Sequence, residues 1–584
     1  MKKKIVLMFC LFALLSMVSA VGFSASKSIY VSINGDDVNS GLTIDQPKKT
    51  VAAGLGLAVA GDTIYLLPGV YPGNISIKKR GEPDKPITIM SYSANPGEYA
   101  VIDGGAPAPA LDVNYLWLNI KNASWLVVKN LKFQNGWTDP ISIQSSSYLT
   151  FDGCIFNGGR RVIYSKGMDV HHLLVQNCFW DQGGSNLWTM VTAPNGLPAW
   201  DEMHHGSLQY YNGSLFSPKA TAGSHVLRYN KIQNAFNGFR WKGDDTVISV
   251  NQNANMEVYG NEVSNIRDND FEPEGTCYNL HVYQNRSHNI HKTMSVDTSI
   301  GGYIYYYGNV ITADSDPWSN AVCTGWWKVY GNTGIYLEYP MYAFNNSFYG
   351  NCNLFYAMPS YQKHLNHFNN AYYISGDRDW SLDYWDSTMT FDYDCSNKPW
   401  PANIINNNQE QHGKVRNPMF VDGPNRNLRL QSTSPCIDAG RTLTLPEFGW
   451  TLSFKGKAPD IGAYEGDNLV EGPPFKFMNP PGGAGYEEMP RIVRHKVGNK
   501  QIRLYFSNDL ITGSITAQDV SVMINGQSIP TKHLQVEGTR ELLLQTTDPI
   551  AGQPTIIFRK MPVGANGQSA TIWASTIPCL REGL

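Results

Sequence analysis

The segment DNDFEPEG, residues 268–275, puts four carboxylates, Asp268, Asp270, Glu272 and Glu274, within seven residues. The segments NGFRWKG (237–243) and TMSVDTS (293–299) can be stacked on either side of it as neighbouring strands, with Phe239, Phe271 and Met294 in one inward row. Side chains alternate faces along a strand, so Trp241, Pro273 and Val296 also turn inward and the outward residues are then determined. One outward column is Arg240, Glu272 and Ser295; the other is Lys242, Glu274 and Asp297. Asp270, just before Phe271, is expected to point outward with them. Stacked strands lie about 4.8 Å apart and alternate outward positions about 6.5–7 Å apart, so these groups share one small patch.

Carboxylates this close cannot all ionise freely, and one of Asp270, Glu272 or Glu274 is expected to have a raised pKa. A protonated acid beside an ionised partner is the apparatus of glycoside hydrolysis, in which one carboxyl protonates the leaving oxygen while the other activates water or attacks carbon. Arg240, Lys242 and Asp297 would contact the sugar. The rival chemistry is β-elimination on a uronic-acid polymer, with Lys242 removing the proton and Asp268, Asp270 and Glu272 holding Ca²⁺. The plain structural alternative is a salt-bridge ladder, Arg240 with Glu272 and Lys242 with Glu274. Pro273 argues against that ladder, since proline removes a hydrogen bond from a central strand.

Such a patch needs stacked parallel strands, and the sequence supplies their period. Segments of the form apolar-x-apolar-x-Asn end at Asn130, Asn177, Asn230, Asn261, Asn285, Asn309, Asn346 and Asn370, with YLTFDG ending at Gly153. Asn261, Asn285 and Asn309 are spaced 24 residues apart, as are Asn346 and Asn370. A period near 24 with short strands is one coil of a parallel β-helix, whose inward face is buried only by its neighbours. The Asn residues suit turns, where the side chain tolerates left-handed geometry and bonds the backbone, and stacking would line them into a ladder. Two longer steps, 53 residues to Asn230 and 37 to Asn346, mark insertions rich in Trp, Tyr and His. Solenoid insertions leave the coil as loops, often on the binding face. His204, His205, Trp188 and Trp200 in the first are therefore candidate substrate-binding residues, and Trp326 and Trp327 beside the second are candidate platforms. Solvated loop histidines and packing tryptophans are the bland alternatives, as are turn aspartates for Asp244 and Asp245.

The stretch YVSINGDDVNSGLTIDQPKKTV followed by GDTIYLLPGVY, and NPMFVDGPNRNLRLQSTSPCIDAG with PDIGAYEG at 459–466, resemble the opening and closing segments of the pectate-lyase-like superfamily of secreted right-handed parallel β-helix proteins. The resemblance covers about residues 27–466 and implies an all-β solenoid. It is weak for chemistry, because that superfamily holds lyases, hydrolases, epimerases and adhesins. A lysine on one coil and an acidic run on the next is similar to some calcium-dependent pectate lyases of the group. Asn269 and Glu272 stand where those tend to have aspartates.

Lys2–Lys4, an apolar run from Ile5 to about Val18 and small residues at Ala20 and Ala25 read as a secretory signal peptide over 1–25. The β-helix is expected over 26–466, a Pro/Gly-rich linker over 467–490, and a small Ig-like β-sandwich over 491–584, where short alternating strands such as QIRLYF and PTIIFRK begin. A spacer or binding role is the default for that module. No later apolar run is long enough to span a bilayer. A net charge of -3 offers no field for nucleic acid or anionic membranes. The eight cysteines after Cys10 show no metal-type spacing and read as small core residues with one or two bridges. The expected protein is thus a secreted polysaccharide-binding hydrolase that requires no cofactor. A Ca²⁺-dependent lyase, a non-catalytic carbohydrate-binding surface protein and an epimerase are the alternatives.

Overall fold

Short Val/Ile/Leu-rich segments closed by Asn and Gly pair coil upon coil in the computed structural model, which describes residues 26–581 except 94, 96, 184–191, 193–198, 244–246, 315–324, 333, 357–359 and 361. The expected leader, Trp188, Asp244, Asp245 and Cys323 lie outside the described residues. Strands one coil apart hydrogen-bond in parallel, giving a 13-stranded and a 20-stranded sheet that wrap one continuous core. This is the expected all-β parallel β-helix. Inward residues stack in rows along the axis, as in Val128, Phe151, Val175, Leu227, Val258 and Val282. Each coil buries its apolar face on the next.

The asparagines sort into two adjacent columns. Asn130, Gly153, Asn177, Gly260, Gly308 and Asn345 hold the left-handed backbone of the turn, with φ between 50° and 65°. The residue after that position carries the ladder. The side-chain oxygens of Asn261, Asn285, Asn309 and Asn346 each accept the backbone N–H of the ladder residue one coil before, at 3.0 Å. Asp394 ends the series, accepting from Asn370 at 2.7 Å. Asn130 and Asn177 therefore belong to the turn column and not to the ladder. Removing one rung, Asn285→Ala, strands buried donors and acceptors and is expected to cost about 1–3 kcal/mol, read as a fall in the midpoint of chemical denaturation.

Six strands position the chemistry: β1 (Lys231–Ala235), β2 (Phe239–Lys242), β3 (Glu262–Glu274), β4 (Arg286–Ser295), β5 (Val310–Thr312) and β6 (Trp327–Lys328). The first insertion contributes the helix Ala199–His204, whose Met203 packs with Trp137, Tyr211 and Phe236. Cys352 is disulfide-bonded, and the remaining described cysteines are free thiols, most of them buried.

Residues after 491 form two four-stranded sheets around a separate core that includes Ile502, Leu504, Val522 and Phe558, a β-sandwich. The sandwich docks against the solenoid. Arg491 Nη2 meets Glu257 Oε2 at 2.5 Å with both side chains 2% exposed, and His172 meets Glu488 at 2.9 Å. The Pro/Gly-rich segment before it is strapped to the coils: Met478 N–H donates to Asn255, and Asn279 donates to the Lys476 carbonyl.

Candidate active site

The register over the acidic run is the one the sequence implies: Phe239, Arg240, Trp241 and Lys242 of β2 lie opposite Phe271, Glu272, Pro273 and Glu274 of β3, and Phe271 lies opposite Met294 of β4. Outward side chains form an alternating chain of charge. Glu272 Oε1 faces Arg240 Nε at 3.0 Å and Lys242 Nζ at 3.1 Å. Lys242 also contacts Glu274, whose Oε1 accepts from Ser295 Oγ at 2.6 Å and meets Lys328 Nζ at 3.1 Å. Lys328 closes the chain on Asp297 at 2.8 Å. Three cations thus alternate with three carboxylates, where the sequence suggested two cations facing a surplus of acid. Lys328, at the end of GWWK on β6, supplies the difference; it pairs through Ser295 opposite Lys328. The 37-residue step before Asn346 hides that register from the sequence.

The two central carboxyls are biased in opposite directions. Glu272 is 2% exposed, and burial pushes it up to about 7 against the pull of Arg240 and Lys242. Burial acts on Glu274 too, but Lys242 and Lys328 outweigh it and hold this carboxyl well below the usual carboxylate range. Glu272 Oε2 is met by the side-chain amides of Asn237 and Asn269, and the Oδ1 atoms of both asparagines are buried without a hydrogen-bond partner. Rotating either amide would present an oxygen to a protonated Glu272. Asn237 carries no functional signal in the sequence, and Asn269 enters there only as a departure from the calcium-dependent pattern.

Asp270 does not join this patch. The pairing of β3 with β4 shifts between Ile266 and Asn269, and that irregularity turns Asp270 inward, 0% exposed, to accept from Ser287 Oγ beside Tyr306. Burial pushes its carboxyl up to about 8, and its Oδ1 has no partner. A carboxyl that holds its proton to about 8 when folded and to about 4 when unfolded destabilises the fold as pH rises across that window, by up to about 1.4 kcal/mol per pH unit. Asp270→Asn is therefore expected to flatten the decline of stability between pH 4 and 8, measured by denaturant titration at several pH values.

The first insertion reaches the patch. Trp200 Nε1 donates to Asp268 Oδ1 at 3.2 Å, and Asn212 accepts from Arg240 at 2.5 Å. His204 stacks on Trp200 with ring centres 4.4 Å apart, and its Nδ1 lies 3.0 Å from that of His205. Burial lowers the His204 pKa, which favours the neutral imidazole. Trp326 and Trp327 are core residues, 0% and 1% exposed, and cannot be platforms. Lys292, beside Asn269 on the next coil, has no distinguishing signal in the sequence: its Nζ lies 4.4 Å over the Tyr356 ring and burial lowers its pKa to about 7.

The Ca²⁺ set read from the sequence does not fit. Asp270 faces the interior while Asp268 faces Trp200, and Glu272 is already met by two cations. Lys242 is also ill suited as a base. Burial would lower its pKa, but Glu272 and Glu274 overcome that effect and raise it.

No family model matches the chain. An uncharacterized Bacillus subtilis protein, YwoF, is 38% identical over 82 residues, which cover 14% of this chain and 17% of that protein. The chain therefore matches about a sixth of that relative's length. Among solved structures, pectate lyase Pel9A superposes with a TM-score of 0.38 at 14% identity, covering 76% of this chain and 98% of its own. A GH136 lacto-N-biosidase from Eubacterium ramulus gives 0.39 at 11% identity, covering 63% and 67%. The PL6 alginate lyase AlyGC gives 0.36 at 12%, covering 70% and 55%. Function is not carried by similarity at this level, and the fold rests on the strand registers above.

Proposed function

We propose that this chain is an exported, carbohydrate-active protein that hydrolyses a polysaccharide, with Glu272 as the proton donor and Glu274 as its ionised partner. The observation that carries the reading is the opposite bias of two carboxyls on alternate positions of β3, joined through Lys242. Glu272, raised toward neutrality, protonates the glycosidic oxygen as the bond breaks; Glu274, held as carboxylate, activates water or attacks the anomeric carbon. Arg240, Asp297 and Lys328 offer hydrogen bonds to sugar hydroxyls at the open edge of the network. Trp200 and His204 supply flat faces at its side.

β-Elimination on a uronic-acid polymer is a second reading, favoured by one observation, the Lys292 amine held near 7. The base would then be Lys292 and not Lys242, and Arg240 or Lys328 would neutralise the substrate carboxylate. The test is a panel of neutral and acidic polysaccharides incubated with the purified chain, scored for new reducing ends and for the ultraviolet absorbance of an unsaturated product. Reducing ends without absorbance are expected. Absorbance rising with them would transfer the site to Lys292, and no cleavage of any polysaccharide would leave a binding protein.

A further inference from the structure

Along the first halves of β3 and β4, beyond Asp268, the outward face carries an open cavity of about 300 Å³ whose charged lining residues Lys231, Glu262, Arg286 and Arg426 are exposed. Lys231, Glu262 and Arg286 stand in one outward column across β1, β3 and β4, and Ser264 and His288 stand in the next. Arg426 joins them from the turn between the strands Phe420–Asp422 and Asn427–Leu430. That turn holds Arg426 at φ 66°, a left-handed conformation uncommon for residues other than glycine, asparagine and aspartate.

Arg286 Nη2 donates to the Tyr464 hydroxyl at 3.0 Å, which fixes the guanidinium at the rim. Among the described residues none of Lys231, Arg286 or Arg426 is ion-paired, and neither is Glu262. Asp314 is engaged with His288, 3.3 Å from Nε2, while His288 Nδ1 is bonded to Thr312. Burial lowers the His288 pKa, so its ring adds no charge. Lys231, Arg286 and Arg426 then face the two carboxylates of Glu262 and Asp314, a local excess of about one positive charge in a chain whose net charge is -3. The catalytic network is the opposite case, since its cations are matched one for one by carboxylates.

We infer that this cavity is an oxyanion-binding site, separate from the carboxyl pair, that takes a carboxylate or sulfate group. Arg286 and Arg426 would grip the oxyanion from two sides, and Lys231 would add charge. Ser264 offers a neutral hydrogen bond to whatever carries it, while the Gln233 amide nitrogen already donates to Asp181 at 2.8 Å. The site does not depend on the cleavage reading, because a chain with no hydrolytic activity would still bind the anion.

Titration calorimetry of the full chain with glucuronate, inorganic sulfate and glucose tests it. Glucuronate or sulfate should bind and glucose should not, and the tighter of the two anions names the source. Arg286→Ala and Arg426→Ala should each weaken anion binding by about tenfold or more, whereas Glu262→Gln should tighten it. Both arginines lie on exposed turns or strand starts, so both variants should fold. Absence of anion binding, equal binding of glucose, or binding unchanged in both arginine variants would overturn the assignment.

Discussion

Glu274→Gln is expected to lower the rate of polysaccharide cleavage by about 10²–10⁴-fold while the variant still binds polysaccharide. The amide keeps an oxygen for Ser295 and Lys328 but removes the charge that the mechanism requires. The result also separates catalysis from a purely structural ladder. In a ladder the same change would lower stability, by leaving Lys242 and Lys328 short of a counter-charge, and would leave turnover untouched. Glu272 supplies the matching pH signature. Its carboxyl, raised to about 7 by burial, must be protonated to act, so the rate should fall about tenfold per pH unit above neutrality. Glu272→Gln should abolish both the rate and that limb.

Arg491→Ala is expected to destabilise the docked sandwich by about 3–5 kcal/mol, because it leaves the Glu257 carboxylate buried without its counter-charge. Glu257 and Arg491 are each 2% exposed where the sandwich meets the solenoid. The loss should appear as a separate, earlier unfolding transition of the sandwich and as faster proteolysis within residues 467–490. Replacing both partners by apolar residues, Glu257→Leu with Arg491→Met, should restore much of the loss, since neither charge is then stranded. Restoration would identify the pair as a matched charge contact. Failure of the double variant to recover would instead point to the packing of Arg491 against Phe475, 5.1 Å from its ring centre.

The β-helix was legible because its period is repeated often, and the pairing of Phe239, Phe271 and Met294 followed from strict alternation along regular strands. Alternation fails wherever a strand shifts. Asp270 was expected outward because nothing in DNDFEPEG signals the irregularity before Asn269, and only burial beside Ser287 reveals the turn inward. Lys328 and Lys292 escaped for different reasons. The first sits behind an insertion that breaks the count, and the second has an ordinary residue type whose chemistry arises from burial. The two asparagine columns look like one in the sequence because Asn serves both the left-handed turn and the ladder next to it. The docking of the sandwich rests on Arg491 and Glu257, more than 200 residues apart, a contact no local pattern announces.

The central claim, hydrolysis by Glu272 and Glu274, is tested most directly by mass spectrometry of the oligosaccharides released from a cleaved polysaccharide in water enriched in heavy oxygen. Hydrolysis predicts that each new reducing end carries one solvent oxygen and that Glu274→Gln yields almost none of these products. Products lighter by one water and free of solvent oxygen, formed equally by Glu274→Gln, would contradict the account.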